Sequence, residues 1–508
     1  MKRTCPTLLT SSLVLGLANQ VYAQYTPPPP PQPFQGFINE YLRKDDPYMN
    51  KWDFGGAMRL RYEDHEGYGI PGRPGTPPAL NNDFRAHGAD VDNDYFLSRI
   101  RLHVGYVDEW WSAYVEGQSS LTYNDQRFAY ANVPPVAGTV KKQGDGPEYD
   151  AINLHQAFAT IGNHKEFPLS LKVGRQELSY GEERLVGAYG WNNIGRVFDA
   201  AKLRWQNEWF GADFFTGRVV IPENGRFDVS NDYDWFSGVY ATSPMVPKNI
   251  LDVYFLSRNA SPQAAAAEPS PQFPQPSARD IYTIGSRLKS RPGELAGWDY
   301  SLEGAYQFGN FRDSRAGAPK QRLDQQAYMV VLQGGYTFTN LWATPRLGLE
   351  YDFASGDSNP HDGKHETFDN LFPTNHRFYG SLDFVSLQNI HDVGAILQLK
   401  PLPSVSVALQ GNALWLADTH DSFYNVGGVA RGGTTSTPGT GFGVNPDYSN
   451  FLGTELTAIV GWAPTRFAQL EGGYGHFFHG QYISQTWSAP GFGARDADFC
   501  YVQLTMLF

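Results

Sequence analysis

Cys500-Tyr501-Val502-Gln503-Leu504-Thr505-Met506-Leu507-Phe508 closes the chain, and because side chains of an extended segment alternate, Val502, Leu504, Met506 and Phe508 share one face. A terminal strand with an apolar face and an aromatic last residue has two readings: the closing strand of a membrane barrel, or the edge strand of a soluble sheet. The rest of the sequence separates them.

At the other end, Lys2 and Arg3 precede the apolar run from Leu8 to Ala18, and Val21-Tyr22-Ala23 fits the pattern a signal peptidase reads. Residues 1–23 therefore read as a signal peptide, with a mature chain from Gln24. Cys5 lies upstream of that cut with no lipobox around it, which leaves Cys500 as the single mature cysteine and no intramolecular disulfide.

No apolar run reaches the ~20 residues that a membrane helix requires, and the mean hydropathy of −0.43 resembles that of a soluble protein. Aromatic residues nevertheless make up 15% of the chain, with 29 Tyr, 12 Trp and 53 Gly. A transmembrane barrel combines these properties, since only alternate residues face lipid, the lumen is polar, and Tyr and Trp girdle both interfaces. A secreted β-sandwich or β-helix is the competing class on composition alone.

The spacing of turns favours the barrel. After a Pro-rich leader from Thr26 to Pro33, strands are expected at 54–63, 95–106 and 110–122. Short links at 107–109, 163–168, 207–208, 244–249, 290–297, 339–344, 401–403 and 463–465 alternate with long ones at 64–94, after 122 to near 150, 181–197, 221–233, 259–279, 309–325, 354–391, 417–449 and 479–497. This is the rhythm of tight periplasmic turns and longer extracellular loops, and it gives about 18 strands with both termini in the periplasm. The expected organisation is a signal peptide, a Pro-rich periplasmic segment over 24–53 and an all-β, antiparallel up-and-down barrel over 54–508.

Alternation assigns the faces of several strands. Ile100, Leu102, Val104 and Tyr106 oppose Arg99, Arg101 and His103; Met58, Leu60 and Tyr62 oppose Arg59 and Arg61; Leu203 and Trp205 oppose Lys202 and Arg204; Leu347, Leu349, Tyr351 and Phe353 oppose Arg346, Glu350 and Asp352. The first face of each is expected to meet lipid and the second water. Cys500 falls on the lipid side.

Charge points to the solute. Without Lys2 and Arg3 the chain has 38 basic and 52 acidic residues, a balance of −14 that argues against nucleic acid as a partner. Acids crowd the loops (Asp90, Asp92, Asp94, Asp357, Asp362, Asp369), while arginines recur on inward faces. Arg outnumbers Lys about two to one, and its planar fork grips carboxylates bidentately. Pairing with the lumenal Glu303, Glu350, Glu455 and Glu471 is the structural alternative for these arginines. Inward acids are sparse in the first six strands, so unpaired arginines are expected there.

Two blocks carry a family resemblance. Lys172-Val173-Gly174-Arg175-Gln176-Glu177-Leu178-Ser179-Tyr180-Gly181-Glu182-Glu183-Arg184-Leu185-Val186-Gly187 with Arg196-Val197-Phe198-Asp199-Ala200, and then Tyr351 to Pro360, Asp362-Gly363-Lys364, Thr367-Phe368-Asp369, Leu371 to His376 and Gly380, resemble the bacterial alginate export porin family. The likeness runs from about Gly55 to Phe508. It implies a monomeric 18-stranded outer-membrane barrel, without cofactor, metal or catalytic residues, whose arginine-rich constriction passes a polyuronate outward. By position that role falls to Arg59, Arg61, Arg99, Arg101, Arg175, Arg184, Arg196, Arg204 and Arg346. Implied partners are outer-membrane lipid, an anionic polysaccharide or small anions, the barrel-assembly machinery acting through Phe508, and a periplasmic polymer-delivery complex.

A passive porin importing small anions such as sugar acids is the runner-up, because fold does not fix function. An enzyme has little support: there is no G-x-S-x-G, H-E-x-x-H or C-x-x-C. His361 to Glu366 reads as an exposed turn, Gly363 falls one position late for a calcium loop starting at Asp357, and no serine matches His476 and His479. Ala260 to Pro276 reads as a flexible loop without chemistry of its own.

Overall fold

The computed structural model describes residues 36–44, 46–69, 82–127, 146–222, 227–261, 278–313, 318, 321–376, 378–434 and 437–508. The expected signal peptide, the Pro-rich stretch from Thr26 to Pro33 and nearly all of the loop 260–276 lie outside the described residues. Within them, β1 (Trp52–Glu66), β2 (Asn93–Val107), β3 (Trp111–Tyr123), β4 (Asp150–Ile161), β5 (Leu169–Gln176), β6 (Phe198–Gln206), β7 (Gly211–Ile221), β8 (Val229–Ser243) and β9 (Asn249–Ala260) form one half of an antiparallel sheet. β10 (Ala278–Ser290), β11 (Trp298–Arg312), β12 (Leu323–Thr337), β13 (Arg346–Ala354), β15 (Ile390–Leu402), β16 (Val405–Leu416), β17 (Phe451–Thr465), β18 (Ala468–His479) and β19 (Ala497–Leu507) form the other. The two-residue strand β14 (Lys364–His365) runs parallel to β12 at Asp324 and Gln325.

β19 pairs with β1 from Ala57↔Leu507 to Glu66↔Asp498, so eighteen strands close into a barrel without an edge. Closure satisfies the backbone of every spanning strand from a neighbour, which hydrocarbon cannot do. At the seam Phe508 N–H donates to Gly56 O (3.0 Å) and Gly56 N–H to Phe508 O (2.9 Å). A Cβ on Gly56 would lie 2.3 Å from Arg101 O and 2.7 Å from the Phe508 ring, so only glycine lets the terminal residue close the seam.

The expected faces are those of the barrel. Ile100, Leu102, Val104, Leu203, Leu347 and Leu349 are exposed on the outside, as is Cys500, while Arg59, Arg61 and Asp352 are buried. Exposed rings gather at both rims: Trp111, Trp209, Trp298, Trp342 and Trp462 at the end with short turns, and Tyr62, Phe96, Tyr123, Phe308, Tyr328 and Tyr474 at the end with long loops. These are the two aromatic girdles of a membrane barrel. No described helix is long and apolar enough to cross a membrane.

The first strand starts at Trp52, two residues before the expected 54, and the segment ahead of it is partly helical. A helix over Phe37–Arg43 sets Phe37 against the rings of Phe467 (5.9 Å) and Phe508 (6.1 Å), and Asn39 binds Asp53 and the amide of Phe54, each at 2.9 Å.

Purified protein should run faster on a gel unboiled than boiled. Deleting Phe508 removes the Gly56 contacts and the last apolar side chain of the seam, and should reduce the heat-modifiable species in outer-membrane fractions; unchanged levels would refute the role given to the seam.

Candidate pore constriction

The interior is where the structure departs from the expected water-filled lumen. Loop 177–197, between β5 and β6, and loop 355–389, between β13 and β15, fold into the barrel and zip together. Gly187 N–H donates to Phe372 O (2.8 Å), Phe372 N–H to Leu185 O (3.0 Å) and Thr374 N–H to Glu183 O (2.8 Å). Phe368, Phe372 and Phe384 of the second loop are fully buried with Phe198, Phe236 and Phe477 of the wall, in a core to which Phe84, Phe442 and Trp487 from the other long loops contribute. The physical reason is the loops' own composition: rings of this size bury large apolar areas, and inside a barrel the apolar surface available to them is that of inward-facing wall residues. On the short-turn side a cavity of about 430 Å³ remains, lined by Tyr180, Arg204, Tyr240, Asp252, Arg287 and Lys289 among others.

Loop 177–197 is held to the first strands by guanidinium groups. Arg59 donates to the carbonyls of Gly190 (2.8 Å) and Asn192 (3.1 Å), and Arg99 donates to the same two oxygens at 3.2 and 3.1 Å. Arg61 donates to Trp191 O (2.9 Å), lies 3.8 Å from the Trp191 ring and pairs with Glu63 (2.5 Å). Arg101 reaches Gln118 (2.5 Å), Glu177 (3.3 Å) and Ile194 O (3.5 Å).

Acidic groups hold the loops to a different arc of the wall. Glu455 on β17 accepts from the amides of Ser381 (2.5 Å) and Leu382 (3.3 Å). Gly380 makes this approach possible: its φ is 100°, and a Cβ there would fall 2.1 Å from the Glu455 carboxylate. Arg184, buried on loop 177–197, binds Asp352 (3.0 Å) and Glu350 on β13 and stacks on Phe378 at 4.1 Å. Burial opposes its charge, but the Asp352 and Glu350 carboxylates outweigh that and put its pKa well above the usual arginine range. Glu182 beside it is likewise buried, yet Lys289 (2.9 Å), Arg287 (3.3 Å) and Arg184 hold its carboxyl down at about 2. The constriction thus lies between a cationic arc on β1 and β2 and an acidic arc on β13 to β17.

Of the nine arginines singled out from sequence, Arg59, Arg61, Arg99 and Arg101 come together. Arg184 and Arg196 sit on the inserted loop, Arg196 donating to the carbonyls of Gly187 (3.1 Å) and Pro373 (2.7 Å). Arg204 faces inward and binds Asp213 (2.7 Å); Arg346 binds Asp299 (2.8 Å) at the short-turn end. Arg175 is a correction: it shares the parity of the exposed Leu171 and Val173 and grips its cross-strand neighbour Asp199 at 2.9 and 3.0 Å. The expectation of unpaired arginines in the first six strands is corrected too: Arg61 pairs with Glu63 and Arg101 with Glu177, while inserted backbone supplies the acceptors of Arg59 and Arg99. Of the four lumenal glutamates, Glu350 pairs with Arg184; Glu303 accepts from Tyr254 and Glu471 from Tyr501, each at 2.8 Å. Two further inward arginines belong to the interior, Arg258, which binds Leu371 O (3.2 Å) and Asp234 (2.6 Å), and Arg287; the alternation of β9 and β10 marks both.

An edgeless eighteen-stranded barrel with two aromatic girdles and loops folded into its lumen is an outer-membrane channel of the bacterial cell. The chain belongs to the alginate export family, whose model matches residues 79–490. Among solved structures it is similar to Acinetobacter baumannii OccAB1 (TM-score 0.55, 10% identity, 90% of this chain and 96% of that one). It is also similar to Pseudomonas aeruginosa OpdQ (0.53, 8%, 90% and 97%) and to P. aeruginosa OccK2 (OpdF) in complex with glucuronate (0.51, 9%, 90% and 98%). At these identities the likeness concerns the fold alone. No curated protein matches the chain.

Arg184→Ala strands Asp352 and Glu350 without their cation and should cost about 3–5 kcal/mol, read as a lower temperature for conversion to the slow-migrating form; an unchanged temperature would mean the loop is held elsewhere. Burial and the nearby Asp421 raise the Asp357 carboxyl to about 7. From the ordinary aspartate range up to that value the folded loop binds more protons than the unfolded one, so its stability falls as pH rises. Nicking of loop 355–389 by an added protease should therefore be faster at pH 8 than at pH 5, and Asp357→Asn should flatten the difference.

Proposed function

We propose that this channel passes an anionic, alginate-like polyuronate from the periplasm to the outside, with the polymer's carboxylates exchanging between the guanidinium groups of Arg59, Arg61, Arg99 and Arg101. One observation carries the reading. Arg59 and Arg99 are direct cross-strand partners inside the wall, and neither has a carboxylate among its described partners. Like charges so placed are destabilising, which a purely structural role leaves without purpose and an anionic solute makes useful. Family membership supplies the polymer. In this reading short turns and termini lie in the periplasm, Phe508 engages the assembly machinery, a periplasmic complex delivers the chain, and the barrel works as a monomer without catalysis.

The second reading is uptake of small sugar acids, favoured by the crystallised glucuronate complex of OccK2 (OpdF), which shares this fold. Chain length separates the two: a polymer pathway gains affinity with each uronate added, and a small-solute pore does not.

Single channels in planar bilayers should prefer anions although the protein is acidic overall. Arg99→Gln with Arg101→Gln should weaken that preference, and uronate oligomers should block wild-type current more than neutral glucans of equal length. Salt should relieve the block, since the ~10 Å Debye length at 0.1 M shortens with ionic strength. Equal block by neutral and charged oligomers would rule out the polyuronate reading.

A further inference from the structure

The acceptors that fill the arginine cluster are supplied by the chain itself. Residues 190–194 present the carbonyls of Gly190, Trp191, Asn192 and Ile194, and each is bound by at least one of the four arginines. The pair Gly190 O and Asn192 O is gripped by Arg59 and Arg99 together. Two oxygens shared between guanidinium forks are what a carboxylate offers to paired arginines. Nε of Arg59 and Nη2 of Arg61 are buried and have no hydrogen-bond acceptor among the described residues, so the cluster has donors to spare.

The segment is attached in a way suited to release. Its other ties are mostly polar: Ser120 Oγ donates to Asn193 O (2.7 Å), Gln118 to Ile194 O (2.8 Å), the Asn193 amide to Glu148 (2.5 Å), and the Asn193 side chain to Ser98 O (3.1 Å); the apolar hold comes from the buried Ile194 and from Trp191, which stacks on His376 (3.7 Å) and meets Tyr501 edge-on (5.0 Å). Gly195, with φ of 86°, follows it, and its first residue, Gly190, has open space where a Cβ would stand.

Resting on the polyuronate reading above, we propose that residues 190–194 are an internal surrogate for glycan carboxylates, occupying the arginine cluster in the empty channel and leaving it when an anionic glycan enters. A carboxylate is the stronger acceptor for a guanidinium because both partners are then charged. A uronate can therefore take over the arginines, whereas a neutral glycan, offering hydroxyls alone, cannot compensate for the carbonyl contacts it would displace. Discrimination arises from this competition as well as from the field in the pore.

Hydrogen exchange on the wild-type protein tests the displacement. A bound ligand ordinarily protects what it touches; here a saturating uronate oligomer should speed exchange of the amides of residues 190–195 by roughly tenfold or more, since their local opening becomes favoured, while a neutral glucan leaves them unchanged. Slower exchange with the uronate, or none of the difference, would overturn the proposal. A tether supplies the second arm: Ser120→Cys with Asn193→Cys, in a Cys500→Ser background, should bind uronate oligomers at least roughly tenfold more weakly when oxidised than when reduced. Equal block in both states would show that the segment need not move. If instead uronate oligomers fail to block even the wild-type channel, the polyuronate reading itself is the one that falls.

Discussion

Hydrocarbon offers no partner to a peptide group, so the pairing of β19 with β1 is the contact on which everything else depends. Once the sheet is closed, its outer face has to be largely apolar, and charged side chains of a spanning strand are sent inward or, like Arg175 and Asp199, neutralise each other across neighbouring strands. The inward faces accept arginines and acids at close range, and they accept the rings of the long loops, because each alternative lies in lipid. The fully buried Phe368, Phe372 and Phe384 are consequences of closure as much as of loop sequence.

Inside, backbone and charge divide the task of holding the loops. On the β1–β2 arc the donors are guanidiniums and the acceptors are carbonyls; on the β13–β17 arc Glu455 accepts from amides and Glu350 and Asp352 accept from Arg184. Each arc therefore meets backbone groups of the sign it attracts, and the zipper around Gly187 and Phe372 joins the two loops between them. Removing Arg61 or Glu455 leaves backbone groups buried without that partner, and removing Glu350 or Asp352 takes a carboxylate from the buried Arg184.

The fold was legible because its signal is local. Alternation along Ile100, Leu102 and Val104, the rhythm of short and long links and the closing Phe508 each report on a strand or a turn by itself. The inserted loops were not legible, for a physical reason. Arg59, Arg61 and Arg99 bind main-chain oxygens, and a carbonyl has no side chain to mark it; counting acids in the first six strands missed acceptors that any residue provides. Arg175 shows the limit of reading strand facing without a partner strand, since its pairing with Asp199 depends on the register of β5 against β6.

The choice of carbonyls over carboxylates on the inserted segment bears on how an acidic protein can attract anions. A carboxylate at position 190 or 192 would neutralise Arg59 and Arg99 and hold them in a lasting ion pair, as Asp199 holds Arg175 and Asp213 holds Arg204. A dipole satisfies the hydrogen-bonding demand of a guanidinium while leaving its net charge uncancelled. The field in the pore is set by such nearby charges, which low-dielectric walls focus, and surplus acids on exposed loops are screened beyond about 8–10 Å at ordinary salt. A formal net charge of −12 is therefore compatible with a cationic arc in the constriction, because the two are separated by distance and by solvent.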